Sequence, residues 1–171
     1  LEGIARAADL ASVTAVVEPY EPSHQRLAED FGIHNLHTDL DAALAAEAVD
    51  AVFICTPNQL HAEYALKCLR AGKHVFVEKP LALTVADADE MVRTAVEHDR
   101  LLMSGQTLRF APRIRQVKQL LDEGRLGKIH HIVHRRMSPG RGGDENSWFA
   151  RQAASGGILP GIGSHSLDAI L

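Results

Sequence analysis

The sequence is poor in the features that define several whole classes of protein. It has two cysteines, Cys55 and Cys68, in 171 residues. Two thiols cannot staple a chain of this length, so burial must supply the stability, and so few suit a reducing cytoplasm. No apolar run approaches the roughly 18–20 residues of a membrane helix, and no signal-peptide pattern opens the chain. Neither sign of charge prevails: 18 Lys plus Arg face 22 Asp plus Glu, a formal net of −4. That balance leaves no basic footprint for nucleic acid or an anionic membrane. Repeats and low-complexity tracts are also missing.

What remains is ordinary globular material, 46% apolar and 23% charged. A chain of this length suits about one domain or slightly more and can bury roughly two-thirds of its unfolded surface. The sequence opens at Leu1 within a helical pattern and closes inside the apolar run Leu167–Leu171. It reads as an internal piece of a longer protein.

Short β-rich runs alternate with helical patterns. Val13–Val17 is a strand, and Ser23 is placed to cap a helix that Gly32 ends. Thr38 with Asp41 reads as a capping box for a short helix carrying Leu40 and Leu44. Ala51–Cys55 is a continuous apolar strand, expected to be buried on both faces. The next helix carries Leu60, Tyr64, Cys68 and Ala71 on one face, and Gly72 terminates it. His74–Val77 is a strand. Thr84 caps a helix with Val85, Ala88, Met91, Val92, Ala95 and Val96 inward. Leu101–Met103 is a strand, and Pro112 opens a helix bearing Ile114, Val117, Leu120 and Leu121 that ends at Gly124. Ile129–His134 reads as a further strand, and Ser138–Ser147 as a loop. This alternation predicts an α/β fold, a doubly wound parallel sheet with right-handed crossovers and helices on both faces. A second domain starts near Leu108, giving units 1–107 and 108–171.

In such a sheet ligands bind beyond the carboxyl ends of the strands. The residues there are Glu18, Thr56-Pro57-Asn58, Glu78-Lys79-Pro80 and Gly105-Gln106, all expected to face one crevice. Any βα loop is polar, so each group taken singly also reads as plain solvated loop. Glu18 stands where a carboxylate can bind the adenine ribose hydroxyls and repel a 2′-phosphate, favouring NAD over NADP. On position alone the plainer reading, a solvated strand-end acid, leads. Lys79 can orient a substrate hydroxyl and stabilise developing alkoxide charge, and Pro80 restricts its backbone. The plain alternative is a surface lysine in a turn.

Ten histidines invite a metal. Their tightest cluster, His130-His131-x-x-His134, falls on an expected strand, where residues four apart stand about 13 Å from each other, too far to share an ion. No metal site is expected. Gly156 to Asp168 is glycine-rich and contains His165, which can carry a proton near neutral pH. Asp168 lies one helical turn on and can orient its ring. A glycine-rich turn entering a helix is the plain alternative.

Together these segments resemble the Gfo/Idh/MocA family of NAD(P)-dependent oxidoreductases. Val52-Phe53-Ile54-Cys55-Thr56-Pro57-Asn58-x-x-His61 is similar to a strand exit of that family. Ala71-Gly72-Lys73-His74-Val75-Phe76-Val77-Glu78-Lys79-Pro80 resembles its central signature. Arg109-Phe110, Leu126-Gly127 and Gly156–Asp168 continue the likeness across the chain. The resemblance implies a Rossmann-type domain, then the start of a second α/β domain on a mainly antiparallel sheet that commonly supplies the oligomer interface. The first strand and its phosphate loop, and most of the second domain, are expected to lie outside this sequence. The implied cofactor is NAD, with NADP possible. The implied catalytic residues are Lys79, between nicotinamide and substrate, and His165, which exchanges the substrate hydroxyl proton. Glu78 is implied at the nicotinamide ribose. Thr56, Pro57, Asn58 and His61 are implied in the cofactor cleft, flanked by Pro80 and Gln106, with Trp148 against the cofactor.

One position departs from the pattern. Family members with the usual dehydrogenase site read Asp-x-Gly-x-His-x-x-Asp, whereas this chain places Gly161 first. Arg109 and Asp168 are candidates to compensate at the substrate. The leading expectation is hydride transfer between NAD(P) and a sugar, polyol or similar hydroxy compound. The alternatives are NAD-dependent glycoside cleavage on the same scaffold and a non-catalytic NAD-binding or sensing protein.

Overall fold

The computed structural model describes residues 2–46, 48–135 and 147–171. The elements in order are α1 (Glu2–Ala5), β1 (Val16–Val17), α2 (Pro22–Phe31), β2 (Leu36–His37), α3 (Leu40–Ala46), β3 (Ala51–Ile54) and α4 (His61–Arg70). They continue with β4 (His74–Val77), α5 (Val85–Glu97), β5 (Leu102–Ser104), α6 (Pro112–Asp122), α7 (Gln152–Ser155) and α8 (Ser164–Ile170). Every strand pairing among the described residues is parallel. Val16 lies opposite Leu36, and Ile54, Val77 and Ser104 line up across β3, β4 and β5. Parallel neighbours cannot be joined by a tight hairpin, so a helix carries each crossover: α2, α4 and α5. The two ladders, β1–β2 and β3–β4–β5, match the 3-2 and 4-5-6 positions of the doubly wound order 3-2-1-4-5-6.

The core sits where α4 and α5 cover β4. Ala65, Cys68, Leu69, Val77 and Met91 are fully buried there, with Ile54, Val75 and Ala95 close to it. β4 alternates, with Val75 and Val77 buried and His74 and Phe76 half-buried. β3 was expected to be buried on both faces, but only Ile54 is buried and Phe53 is 53% exposed. The reason is that α4 and α5 cover one face, while on the other Phe53 stacks on Phe76 at 5.0 Å beside solvent.

Local chemistry explains most element ends. Thr84 caps α5 by accepting from the Asp87 amide at 3.1 Å. Of its expected inward residues, Met91 and Ala95 are buried, whereas Val85, Val92 and Val96 are exposed and Thr94 takes an inward place. The cap of α3 is Asp39, not Thr38: its Oδ1 accepts from the Ala42 amide at 2.9 Å. One residue of offset suffices, because the capping oxygen must reach a free amide of the first turn. α2 has no side-chain cap; Ser23 lies inside the helix, after Pro22, and Gly32 closes it at φ 66°. α6 begins at Pro112 as expected, but none of its residues is buried and Val117 is 50% exposed.

Ile129–His134 forms no ladder and is exposed. A strand is defined by its partner, and the described residues after β5 contain no strand to pair with it. Residues 138–146 of the expected loop lie outside the described residues. No helix among the described residues is long and apolar enough to cross a membrane.

Candidate active site

Three of the predicted loops meet because the register of β3–β4–β5 brings the strand ends level. The Glu78 amide donates to the Ile54 carbonyl at 2.9 Å, and the Gly105 amide to the Val77 carbonyl at 2.7 Å. Thr56–Asn58, Glu78–Pro80 and Gly105–Gln106 therefore leave one edge side by side. Gly105 sits in close approach: a Cβ there would stand 3.1 Å from the Phe76 ring and 3.3 Å from Glu78 Oε2, so those side chains would have to give by a few tenths of an ångström. Glu18 occupies the matching end of β1 in the other ladder. Its amide bonds the His37 carbonyl, and its Oε1 accepts from the Tyr20 amide at 2.8 Å.

The edge carries unmet polar capacity. Thr56 Oγ1, Ser104 Oγ and Gln106 Oε1 are buried and have no hydrogen-bond partner. Buried polar atoms are nearly always paired, so a cluster of orphans at strand ends marks a place for a ligand with hydroxyls and amides. A dinucleotide fits that donor set. Cys55, at the end of β3, has its thiol pushed up by burial and by the Glu78 carboxylate. Burial pushes Cys68 further, to about 11. Since the thiolate is the nucleophile, iodoacetamide at pH 8 should label the exposed Cys55 slowly and the buried Cys68 only after unfolding. Peptide mass mapping over time checks this.

Two residues expected to line the cleft are placed differently. His61 is fully buried. Its Nδ1 faces the Pro80 carbonyl at 2.7 Å and its Nε2 the Thr56 carbonyl at 3.0 Å. A neutral imidazole carries one N–H, so it donates to one of these carbonyls while its ring packs between both, beneath the two loops. Asn58 is 5% exposed, and its Nδ2 donates to the Ser155 carbonyl at 2.8 Å, 97 residues away. Its amide spans from the first domain to the segment that ends in α8. The Lys79–Pro80 peptide is cis.

Lys79 is the bridge between the halves of the site. Its Nζ donates to the Gly161 carbonyl at 2.5 Å. Gly161 lies in a widened helical turn, Leu159–Gly163, that leads directly into α8. His165 follows Gly161 by four residues, about 6 Å along a helix axis. So Lys79 meets the chain at the very residue where the sequence departs from the family pattern, and it is received there by main chain. Gly161 is buried against Phe149, 3.7 Å from where a Cβ would stand, an ordinary contact. Trp148 packs edge-on to Phe149 with ring centroids 5.6 Å apart.

Arg109 and Asp168 engage each other. Arg109 Nε lies 2.9 and 2.8 Å from the two carboxylate oxygens, and Nη2 lies 2.7 Å from Oδ1. The pairing raises the Arg109 pKa. Asp168 is thus paired with the guanidinium rather than with the His165 ring. The sequence did not reveal that Ser155 meets Asn58 or that Gly156 meets Leu83. A Cβ on Gly156, at φ 77°, would stand 2.6 Å from Leu83 Cδ2, and the Gly156-Gly157 pair was the only available signal.

Parallel ladders with polar exits on one edge are the arrangement of a dinucleotide-binding α/β fold. The chain belongs to the GFO/IDH/MocA family: residues 1–106 match its oxidoreductase domain with an NAD-binding Rossmann fold, and residues 114–171 match its C-terminal domain. A 2,7-anhydro-N-acetylneuraminate hydratase of Mediterraneibacter gnavus is 37% identical over 149 residues, 87% of this chain and 39% of that protein. A D-glucoside 3-dehydrogenase of Escherichia coli is 35% identical over 163 residues, 93% of this chain and 45% of that protein. The crystal structure of myo-inositol 2-dehydrogenase from Lactobacillus plantarum superposes with a TM-score of 0.81 at 27% identity, covering 94% of this chain and 48% of that one. The chain spans less than half the length of each of these relatives.

Proposed function

We propose that the whole protein transfers a hydride between NAD and a sugar, polyol or related hydroxy compound. The observation that carries this reading is the reach of Lys79 from the end of β4 to the Gly161 carbonyl, one turn before His165. Residues 1–107 form the cofactor domain and 108–171 begin the substrate domain. Thr56, Pro57, Glu78, Lys79, Pro80, Gln106 and Trp148 contact the cofactor, while His61 and Asn58 position the loops that do so. Glu18 takes the adenine ribose hydroxyls and disfavours a 2′-phosphate.

Bound nicotinamide supplies the hydride acceptor. Lys79 donates a hydrogen bond to the reacting oxygen and stabilises the charge that develops on it. His165 takes the hydroxyl proton as the carbon–hydrogen bond breaks, and returns it in the reverse direction. The Arg109–Asp168 pair holds α8 and with it the imidazole. The protein works in the cytoplasm, and the second-domain sheet of the full chain forms a homo-oligomer.

Gly161 favours a second reading. Without the acid that the family pattern places at position 161, oxidation can be transient, as in cleavage of a glycoside with no net NADH; one relative is itself named a hydratase. The test is the full-length protein with NAD and a panel of polyols and sugars at alkaline pH. Stoichiometric NADH is expected, with NAD preferred over NADP. Product without NADH supports the second reading. Tight NADH binding with no product from any compound makes this a sensing protein.

A further inference from the structure

The segment from Ser155 to Gly161 rests on two loops of the cofactor domain at three places. Asn58 Nδ2 holds the Ser155 carbonyl at 2.8 Å. Gly156 lies so close to Leu83 that a Cβ would stand 2.6 Å from its Cδ2 and 3.1 Å from Pro160 Cγ. Lys79 Nζ holds the Gly161 carbonyl at 2.5 Å. Between the two loops, His61 touches both the Thr56 and the Pro80 carbonyls, so they form one seat. Asn58 and Ser155 are both buried, at 5% and 2% exposure, where water does not compete for the bond.

We propose that Asn58 is a positioning residue that couples dinucleotide binding to the placement of Gly161 and His165. The argument is one of continuity. Thr56, whose buried hydroxyl has no partner, is two residues from Asn58 in the same short loop. A ligand that engages Thr56 orders that loop. The loop's far end grips Ser155 through a single amide. Ser155 leads through the left-handed Gly156 into the turn Leu159–Gly163 and on to His165 in the first turn of α8. Ordering therefore passes from the cofactor side to the proton-carrying side through the Asn58 bond, with His61 keeping the Lys79 loop in step. The free energy that orders the first segment lowers the cost of ordering the second, which is positive coupling between the sites. The proposal rests on the dinucleotide reading above.

Hydrogen exchange of the full-length protein tests it without a known substrate, using NADH as the probe. Saturating NADH should slow amide exchange across residues 155–170 about tenfold in the parent protein. In Asn58→Ala, measured at its own saturating NADH, that slowing should vanish while protection in α4 and α5 persists. Gly156→Ala gives a second route. It strains a backbone at φ 77° and crowds Leu83 without touching Asn58, and it should also abolish the slowing. Asn58→Asp, which lacks the donor and sets a carboxylate against a carbonyl, should behave as Asn58→Ala does. If NADH does not bind the parent, the dinucleotide reading fails. If NADH binds but residues 155–170 are not protected, or if Asn58→Ala retains the protection, the coupling is refuted and the functional reading stands.

Discussion

Lys79→Met should lower kcat for hydride transfer by about 10²–10⁴-fold, the range expected when a positioned proton-handling or charge-stabilising group is lost. Methionine keeps most of the length of the side chain but carries no charge and no donor. The reacting oxygen then loses the group that polarises it, and the Gly161 carbonyl loses its donor at the same time. The second effect is structural and costs on the order of 1–3 kcal/mol if the carbonyl stays unpaired. Steady-state kinetics with a responsive polyol separates the two. A catalytic role predicts a fall in kcat that persists at saturating substrate and at low temperature, where the variant is fully folded. Unchanged turnover would remove Lys79 from the chemistry.

His61→Ala should destabilise the protein by about 3–5 kcal/mol. The imidazole is fully buried, so its removal leaves a cavity. It also removes the one ring N–H that donates to either the Thr56 or the Pro80 carbonyl, which face the ring at 3.0 and 2.7 Å, and an unsatisfied buried acceptor costs about 1–3 kcal/mol. With a urea dependence of about 1–3 kcal/mol/M, the midpoint should fall by about 1 M or more. The loops that carry Thr56 and Lys79 should loosen together, so NADH affinity and kcat both decline. His61→Gln offers a donor of its own and should recover part of the stability. A urea midpoint within error of the parent would show that the imidazole braces nothing.

The alternation of strands and helices was readable because each strand is a short apolar run bounded by turn residues, and each helix repeats at helical spacing. The exits at Thr56–Asn58 and Glu78–Pro80 followed from that order alone, because a parallel sheet fixes which end of each strand faces the ligand. Side-chain partners were not readable. The family resemblance alone implied His61 in the cleft. Only the fold shows that the helix it opens turns the ring beneath the loops. Asn58 and Ser155 stand 97 residues apart, a separation at which spacing says nothing about contact. Arg109 and Asp168 looked like two independent polar groups until α8 brought them into one ion pair. Ile129–His134 has the composition of a strand, but composition cannot supply the neighbouring strand that makes it one.

The acceptor that receives Lys79 is a peptide oxygen, which every amino acid provides. Small side chains at position 161 would therefore leave the lysine's acceptor in place and vary only what projects toward Phe149. Position 161 is thus a place where directed evolution can vary the side chain while the Lys79 ammonium keeps its acceptor.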